Sequence, residues 1–398
     1  MDGGLARRGW LPCYVSGAVF AVCMAGTTLP TPLYSLYQDE LGFSELTVTV
    51  VYAVYAFGVI GVLLLAGNAS DAVGRRPVLL VGLGCAAASA VCFLGATALG
   101  WLFAGRLLSG LSAGLFTGAA TAYVMELAPG KGSPRASLVA TAANMGGLGC
   151  GPLLAGLLAQ YAPWPLRLPF VGHLVLLAAS AALLLGLPET VSRRRPLSTV
   201  RPQRPGLPPK VRAVFGPAAL ASFVGFALFG VFTSVSPAFL AQFLDVDNHA
   251  VSGLIVALAF FASIAGQAAV GRMGEARSLP LGCAGLLGGL TLLACALWWH
   301  LLPLVVLSAL LGGAGQGLAF RAALAQVAAA SPADHRAAVI SSLFVVAYTG
   351  ISLPVIGVGI LSGHIGLQDA GLVFIACMAV LVACAGVYLL RRPGGVRV

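Results

Sequence analysis

Charged residues are scarce in this sequence. Its 398 residues include 22 Lys and Arg and 12 Asp and Glu, so that 9% of the chain is charged and 59% is hydrophobic. The mean hydropathy is +0.97. Because so few charges cannot cover a water-exposed surface, the composition excludes an ordinary soluble domain and indicates a polytopic membrane protein.

The sequence also has few groups of the kind that enzymes and metal sites use. An intramembrane enzyme needs paired carboxylates, a Ser/His pair or a metal cluster at the depth of the spans, and neither H-x-x-x-H nor E-x-x-H occurs. The nine cysteines lie inside apolar runs without metal-ligand spacing and are expected to be small buried hydrophobic residues. We therefore expect neither an enzyme nor a bound metal or cofactor.

The basic residues are distributed unevenly along the chain. A net charge of +10 would suggest nucleic acid as a partner if these residues formed one surface, but they fall in alternate loops, with only Arg167 on the opposite side. This pattern predicts two cytoplasmic termini, an even number of spans and no nucleic-acid binding. The cytoplasmic set is Arg7, Arg8, Arg75, Arg76, Lys131, Arg135, the seven basic residues from Arg193 to Arg212, Arg272, Arg277, Arg336, Arg391, Arg392 and Arg397.

Twelve apolar runs reach the length of about twenty residues that a bilayer requires. They predict an all-α membrane protein with twelve spans in two sets of six. The first set lies at roughly 11–36, 46–66, 78–97, 100–127, 136–159 and 170–187. The second lies at roughly 214–240, 250–270, 279–298, 302–320 or further, 337–361 and 370–390.

A Pro- and Arg-rich segment separates the two sets. It predicts an N-terminal six-helix bundle at 1–188, a cytoplasmic linker at 189–213 and a C-terminal bundle at 214–398. A weak internal repeat supports this division, with an offset that is nearly constant along the chain. Matching residues are Pro32 and Pro237, Gly67 and Gly271, Asp71 and Glu275, Gly110 and Gly313, Gly114 and Gly317, and Arg135 and Arg336.

A polar stretch at residues 67–77 lies between the second and third runs. Lipid cannot hold it, so a tight loop is predicted, with Pro77 in the first turn of the next helix. Gly67, Asp71, Gly74, Arg75 and Arg76 form the pattern G-x-x-x-D-x-x-G-R-R. This pattern resembles the loop between helices 2 and 3 of the major facilitator superfamily of secondary transporters. The resemblance implies two six-helix bundles around a central substrate site, and a cytoplasmic gate at this loop.

Arg106 is a charge inside the fourth apolar run. Such a charge costs at least ~2.5 kcal/mol and is usually retained for a partner or a pathway, although a shallow arginine can also reach the interface. Arg106, Gly110 and Gly114 resemble the helix-4 motif of the superfamily, in which the arginine is associated with proton coupling.

None of the acidic residues lies clearly inside a run. His173 and Glu126 are therefore further coupling candidates, with interfacial packing and a structural latch as their respective alternatives.

The fifth run contains Gly147, Gly151, Pro152 and Gly156, preceded by Asn144. Small residues at intervals of four let helices approach closely, and the proline bends the span. The set resembles the helix-5 signature of the drug:proton antiporters, which implies export.

Polar and aromatic side chains within the runs are candidates for lining a substrate cavity. The first run ends in a segment rich in hydroxyls and prolines that is expected to be unwound or kinked, and the seventh carries phenylalanines that either contact a lipophilic substrate or pack toward lipid. The candidates are Thr27, Tyr34, Asn144, Phe226, Phe229, Thr233, Gln267, Gln316 and Tyr348.

These features together predict a monomeric secondary transporter of the bacterial inner membrane. It would export amphipathic small molecules by alternating access, in exchange for protons. A proton symporter or uniporter for a small organic nutrient is the alternative, although a hydrophilic substrate needs more polar residues inside the spans. A membrane receptor would leave the repeat, Arg106 and the helix-5 pattern unexplained, and an intramembrane enzyme would need the catalytic groups that the spans lack.

Overall fold

The computed structural model describes residues 9–130, 132–192, 196, 202, 206–332 and 335–391. Within these residues the regular elements are all helices, and twelve are long and apolar enough to cross a membrane. The predicted all-α fold with twelve spans is confirmed. We label the helices α1 (Leu11–Thr28), α2 (Glu45–Ala66), α3 (Arg75–Leu94), α4 (Leu99–Leu127), α5 (Pro134–Tyr161), α6 (Leu168–Gly186), α7 (Arg212–Ser234), α8 (His249–Met273), α9 (Glu275–Trp299), α10 (Leu302–Ala330), α11 (Arg336–Ile365) and α12 (Leu367–Arg391).

Two of these helices are interrupted near a proline. After α1 the chain forms a 3₁₀ turn at Thr31–Leu33 and continues as the short helix Tyr34–Leu41, which confirms the predicted irregular segment. After α7 it continues as Ser236–Leu244. Proline has no backbone N–H to donate and clashes with the preceding turn, which favours an interruption at these positions, although Pro152 and Pro354 lie inside continuous helices.

The packing of the helices divides the chain into two compact units. Unit 1 comprises Met1–Tyr37 and Val54–Gln203, and unit 2 comprises Gln38–Ala53 and Arg204–Val398. Helix α2 therefore begins in unit 2 and ends in unit 1. Eleven of the 25 residues of the linker predicted at 189–213 lie outside the described residues, as do Arg7, Arg8, Lys131, Arg392 and Arg397. The domain boundaries at 188 and 213 stay a prediction.

The same close helix contacts occur in both units. In unit 1, a Cβ at Gly110 of α4 would collide with the carbonyl oxygen of Tyr55 in α2. In unit 2, a Cβ at Gly313 of α10 would collide with the carbonyl oxygen of Ala259 in α8. Only glycine allows backbones to approach this closely. The weak sequence repeat therefore corresponds to a repeated packing of helices.

Candidate functional site

Arg106 of α4 is almost completely buried, with 1% of its surface exposed. Its Nε donates a hydrogen bond to the Tyr34 hydroxyl, and its Nη1 donates to the Thr27 carbonyl at 2.6 Å. The guanidinium also lies 5.1 Å from the centre of the Tyr34 ring, a cation–π distance. The interruption that follows α1 places Tyr34 and Thr27 on either side of the charge. Arg106 is thus held inside unit 1 and does not reach an interface.

His173 of α6 is also buried in unit 1, at 4% exposure. Its imidazole packs directly on Gly26 of α1, where a Cβ would lie 2.8 Å from the ring Cε1 atom. The ring lines a small cavity together with hydroxyl groups that sequence analysis did not single out. Two of these, Ser109 and Ser112, follow Arg106 at helical spacing, and this spacing was a usable signal.

Ser112 is the centre of a Gly-x-Ser-x-Gly sequence at residues 110–114. In hydrolases this pattern forms a sharp turn between a strand and a helix, which exposes the serine. Here it lies in the middle of α4, and the Ser112 hydroxyl donates to the Gly82 carbonyl at 2.8 Å and contacts the Cys23 thiol at 3.2 Å. Ser112 therefore joins α4 to α1 and α3.

The glycines of the fifth-helix motif pack α5 against α1. A Cβ at Gly147 or Gly151 would collide with a backbone carbonyl of α1, and Pro152 and Gly156 are buried in the same helix. The Thr28 hydroxyl donates to the Leu148 carbonyl at 2.7 Å across this contact. The motif therefore packs the helices as expected. Asn144 is half-buried.

In unit 2, aromatic side chains from three helices form a connected cluster. The ring of Phe226 in α7 lies 5.1 Å from that of Phe320 in α10 and 5.6 Å from that of Tyr348 in α11. Phe344 contacts both Phe320 and Tyr348, at 5.7 and 6.5 Å. Phe320 and Phe344 were missed, although each stands four residues from a predicted candidate and so shares its helix face. Phe229 belongs to a separate pair with Phe260, at 4.6 Å.

Two amides of unit 2 meet at Ser263 of α8. The Ser263 hydroxyl donates to Gln316 Oε1 at 2.7 Å, and Gln267 Nε2 donates to the Ser263 oxygen at 3.3 Å. Within the described residues, the buried Nε2 of Gln316 has no hydrogen-bond partner. Gln316 lies one helical turn before Phe320, so an amide donor is available beside the aromatic cluster.

The first half of α2 packs within unit 2. The Thr233 hydroxyl, at the end of α7, donates to the Tyr52 hydroxyl at 2.6 Å. Gln242 donates to the Glu45 carboxylate, and Gly359 of α11 packs against Thr49. Thr233, a predicted cavity residue, therefore connects the end of α7 to the first half of α2.

The predicted gate loop contains a short helix at Ala69–Val73, and Gly74, with φ of +118°, turns the chain into α3. Arg75 and Arg76 thus belong to the first turn of α3. Arg75 bonds Glu126 of α4 through Nη2 at 2.9 Å and Nε at 3.3 Å, and it contacts Asp71 at 2.6 Å. Glu126 therefore acts as an ion-pair partner in this structure.

Glu189, which sequence analysis missed, caps the start of α3. Its carboxylate accepts from the backbone N–H groups of Arg75 and Arg76 at 3.0 and 3.2 Å. Helix N-termini carry unpaired donors and a partial positive charge, which a carboxylate satisfies. Among the described residues, the side chains of Arg76 and Arg135 contact groups other than carboxylates. Arg76 donates to the Leu185 carbonyl, and Arg135 stacks over Trp10 at 4.5 Å.

The matching connection in unit 2 is shorter than that of unit 1. The repeat matched Gly67 and Asp71 to Gly271 and Glu275, but Gly271 lies inside α8 and only Gly274, with φ of +78°, lies between α8 and α9. Glu275 follows this glycine as Arg75 follows Gly74, so its structural counterpart is Arg75 and not Asp71. Because the connection in unit 2 is shorter than the one in unit 1, the nearly constant offset of the repeat matched Asp71 to the wrong residue of unit 2.

The family model described as Major Facilitator Superfamily matches residues 16–294. The chain belongs to the major facilitator superfamily. Solved structures of transporters resemble it over nearly its whole length. A POT family transporter in complex with 5-aminolevulinic acid has a TM-score of 0.75 and 13% identity, with 96% of each chain covered. The nucleoside transporter NupG has a TM-score of 0.70 and 15% identity, with 95% of this chain and 99% of that one covered. At such identities the likeness shows the fold.

Several relatives of this major facilitator are named as resistance proteins. A chloramphenicol resistance protein of Pseudomonas aeruginosa is 27% identical over 383 residues, covering 94% of this chain and 88% of the relative. A puromycin resistance protein of Streptomyces alboniger is 36% identical over 163 residues, covering 40% of this chain and 31% of the relative. Multidrug resistance protein 1 of Bacillus subtilis (strain 168) is 29% identical over 175 residues, covering 44% of this chain and 43% of the relative. The chain thus covers less than half the length of the last two relatives.

Proposed function

We propose that this transporter exports amphipathic small molecules in exchange for protons. The observation that carries the proposal is the burial of Arg106, which donates hydrogen bonds from α4 to Tyr34 and Thr27 near the break after α1. A guanidinium at this depth costs at least ~2.5 kcal/mol, and a packing role alone does not require a charge there. Arg106 is therefore the group we place on the coupling path.

The substrate class follows from unit 2. The cluster of Phe226, Phe320, Phe344 and Tyr348 offers a large apolar surface, and Gln316 Nε2, which has no partner among the described residues, offers a donor beside it. Such a combination suits a molecule with an aromatic or aliphatic body and one polar group. The relatives named for resistance to puromycin and chloramphenicol support export of compounds of this kind.

The orientation in the membrane follows from the described arginines. Arg75, Arg135, Arg212, Arg277 and Arg336 lie in or beside the connections that follow even-numbered helices, whereas Arg167 precedes α6. We place the first group and both termini in the cytoplasm, according to the positive-inside rule. The excess of Arg over Lys, 20 to 2, is typical of a GC-rich bacterial genome and supports the bacterial inner membrane. We expect the protein to act as a monomer.

Alternating access would require the first half of α2 to separate from α7 and α11 during each cycle. The contact at Thr49 and Gly359 offers a test, since a Cβ at position 359 would lie 3.1 Å from the Thr49 Cβ. Disulfides have about 3.5–4.5 Å between these atoms, so a small local shift would allow the bond to form. With the natural cysteines replaced, oxidation of a Thr49→Cys, Gly359→Cys variant should stop transport, and a reductant should restore it. Unchanged transport in the cross-linked protein would contradict this movement.

The decisive experiment uses inside-out vesicles with an imposed proton gradient, acid inside. Accumulation of ethidium, puromycin and chloramphenicol is followed for wild type and Arg106→Ala. We expect gradient-dependent accumulation by wild type and its loss in the variant. A wild type that accumulates none of these compounds but equilibrates a sugar or an organic acid would replace export with nutrient uptake.

A further inference from the structure

Unit 1 encloses a small polar cavity close to Arg106. Four helices surround it, and its space is about that of a single water molecule. Hydroxyl groups, a thiol and an imidazole face it, together with a few apolar groups. The polar lining residues are Cys23 and Thr27 of α1, Ser89 of α3, Ser109 and Ser112 of α4, and His173 of α6.

Two polar atoms of this cavity have no hydrogen-bond partner among the described residues. They are Nε2 of His173 and the hydroxyl oxygen of Ser109, both buried. Buried polar atoms nearly always have a partner, which is often an ordered water. A single water between these two atoms would satisfy both. The cavity is therefore suited to bringing a proton to the imidazole.

His173 and Arg106 contact adjacent residues of α1. The imidazole packs on Gly26, and Arg106 Nη1 donates to the carbonyl of Thr27, the next residue. A side chain at position 26 would displace the ring, so glycine is needed for this arrangement. In the part of the chain that the structure describes, no acidic residue lines the cavity. Besides His173, the titratable or charged groups near this cavity are Cys23, Cys85 of α3, Tyr34 and Arg106.

We propose that His173 is the group that carries the proton in the transport cycle, and that its protonation releases Arg106 from α1. The assignment rests on the proposed proton-driven export. A proton from water binds the Nε2 lone pair and makes an imidazolium, and the same proton later returns to water. The two positive charges, on α4 and α6, would lie beside neighbouring residues of α1, and they would repel each other strongly in a site from which water is largely excluded. A protonated His173 and a docked Arg106 are therefore mutually unfavourable.

This assignment accounts for the scarcity of acidic residues in the spans. Histidine is the side chain whose charge changes most readily between about pH 5 and pH 8. Glu126, the other candidate, is bonded to Arg75 outside this cavity. Departure of Arg106 would free the Thr27 carbonyl, near the end of α1, and the Tyr34 hydroxyl, directly after the 3₁₀ turn. Proton binding at His173 would thus change the segment that we expect to face the substrate.

The test compares wild type with His173→Gln, and with His364→Gln as the matched control, because His364 is exposed at the end of α11. Purified proteins in liposomes are assayed for accumulation driven by a proton gradient and for exchange without a gradient. Ethidium is the probe, or whichever of puromycin and chloramphenicol the wild type accumulates. We expect His173→Gln to lose at least about tenfold in gradient-driven accumulation, to continue exchange, and to lose the pH dependence of that exchange. The control should resemble wild type.

Each other outcome overturns the proposal in a different way. Normal accumulation by His173→Gln removes the role of His173 but leaves proton-driven export in place. Loss of both accumulation and exchange indicates a structural role, which His173→Asn and Gly26→Ala would check independently by the same assays. If wild type accumulates none of the probes under the gradient, proton-driven export fails, and the assignment of His173 fails with it.

Discussion

The two units repeat the same helix packing but hold different side chains at matching positions. Gly110 and Gly313, 203 residues apart, each press against a backbone carbonyl within their own unit. At the same offset, Arg106 of unit 1 corresponds to Ala309 of unit 2, and the two are 1% and 0% exposed. Because both positions are buried, the packing does not determine which residue carries a charge.

The connections after α2 and α8 show the same contrast. In unit 1, Arg75 forms an ion pair with Glu126. At the connection of unit 2, Gln326 of α10 donates from Nε2 to the Glu275 carbonyl at 2.8 Å, and Gln326 lies three residues before the position that matches Glu126 at the offset of 203. The contact between helices persists while its charge is lost. We infer that unit 1 holds the groups that respond to protons and that the aromatic cluster of unit 2 contributes to substrate recognition.

Moving the buried charge from position 106 of unit 1 to position 309 of unit 2 is the strongest test of the difference between the units. Arg106→Ala should lower gradient-driven accumulation by at least about tenfold. Adding Ala309→Arg should not restore it, because the groups that accept from the guanidinium, Tyr34 and Thr27, belong to unit 1. The measurement is accumulation in inside-out vesicles, with Arg321→Gln in α10 as the control that removes a half-buried arginine of unit 2. Rescue by the second substitution would show that the charge works equally in either unit.

Loss of an aromatic ring should have a smaller effect, confined to substrate affinity. Phe226 lies at the centre of the cluster in unit 2, in contact with Phe320 and Tyr348. An aromatic contact is worth about 1 kcal/mol, so Phe226→Leu should weaken binding of ethidium about fivefold. Phe243→Leu, in the short helix after α7, is the matched control. Equal effects of the two substitutions in a fluorescence binding assay would argue against a substrate wall at Phe226.

Most of the fold could be predicted because a bilayer imposes it. Each span needs about twenty apolar residues, and this requirement located all twelve helices to within several residues. Prolines at 30 and 32 predicted the interruption after α1, and the glycine intervals predicted the close packing of α5. These features depend on the residues themselves and on the membrane, and therefore appear in the sequence.

The partners of the polar groups could not be predicted in the same way. Arg106 was recognisable as a charge within a span, but its bonds to Tyr34 and Thr27 join segments about 70 to 80 residues apart. Glu189 follows α6 and caps α3, and no pattern along the chain indicates that contact. The shorter connection at Gly274 also shifted the register of the repeat. Such contacts depend on how helices are arranged in space, which one sequence does not reveal.

Removal of the Gln316 amide donor would test whether unit 2 supplies a polar contact to the substrate. Gln316 Nε2 has no partner among the described residues, whereas Gln267 Nε2 donates to Ser263. A neutral hydrogen bond is worth about 0.5–1.5 kcal/mol, so Gln316→Leu should weaken binding of a substrate with a polar group about threefold. Gln267→Leu should leave affinity nearly unchanged. Titration with chloramphenicol would measure both, and a larger loss for Gln267→Leu would move the polar subsite to α8.

The smallest expected effect concerns stability at the two connections. Arg75 is 11% exposed and holds Asp71, Ser70 and Glu126, so Arg75→Gln should lower the free energy of unfolding by about 1–2 kcal/mol. Glu275→Gln should lower it by less than about 0.5 kcal/mol, since Gln326 bonds the backbone of residue 275 and that carbonyl is retained. Thermal unfolding in detergent would show a clear shift for the first variant and almost none for the second. Equal shifts would mean that the ion pair of unit 1 adds nothing beyond the helix contact, and the difference between the connections would then matter only during transport.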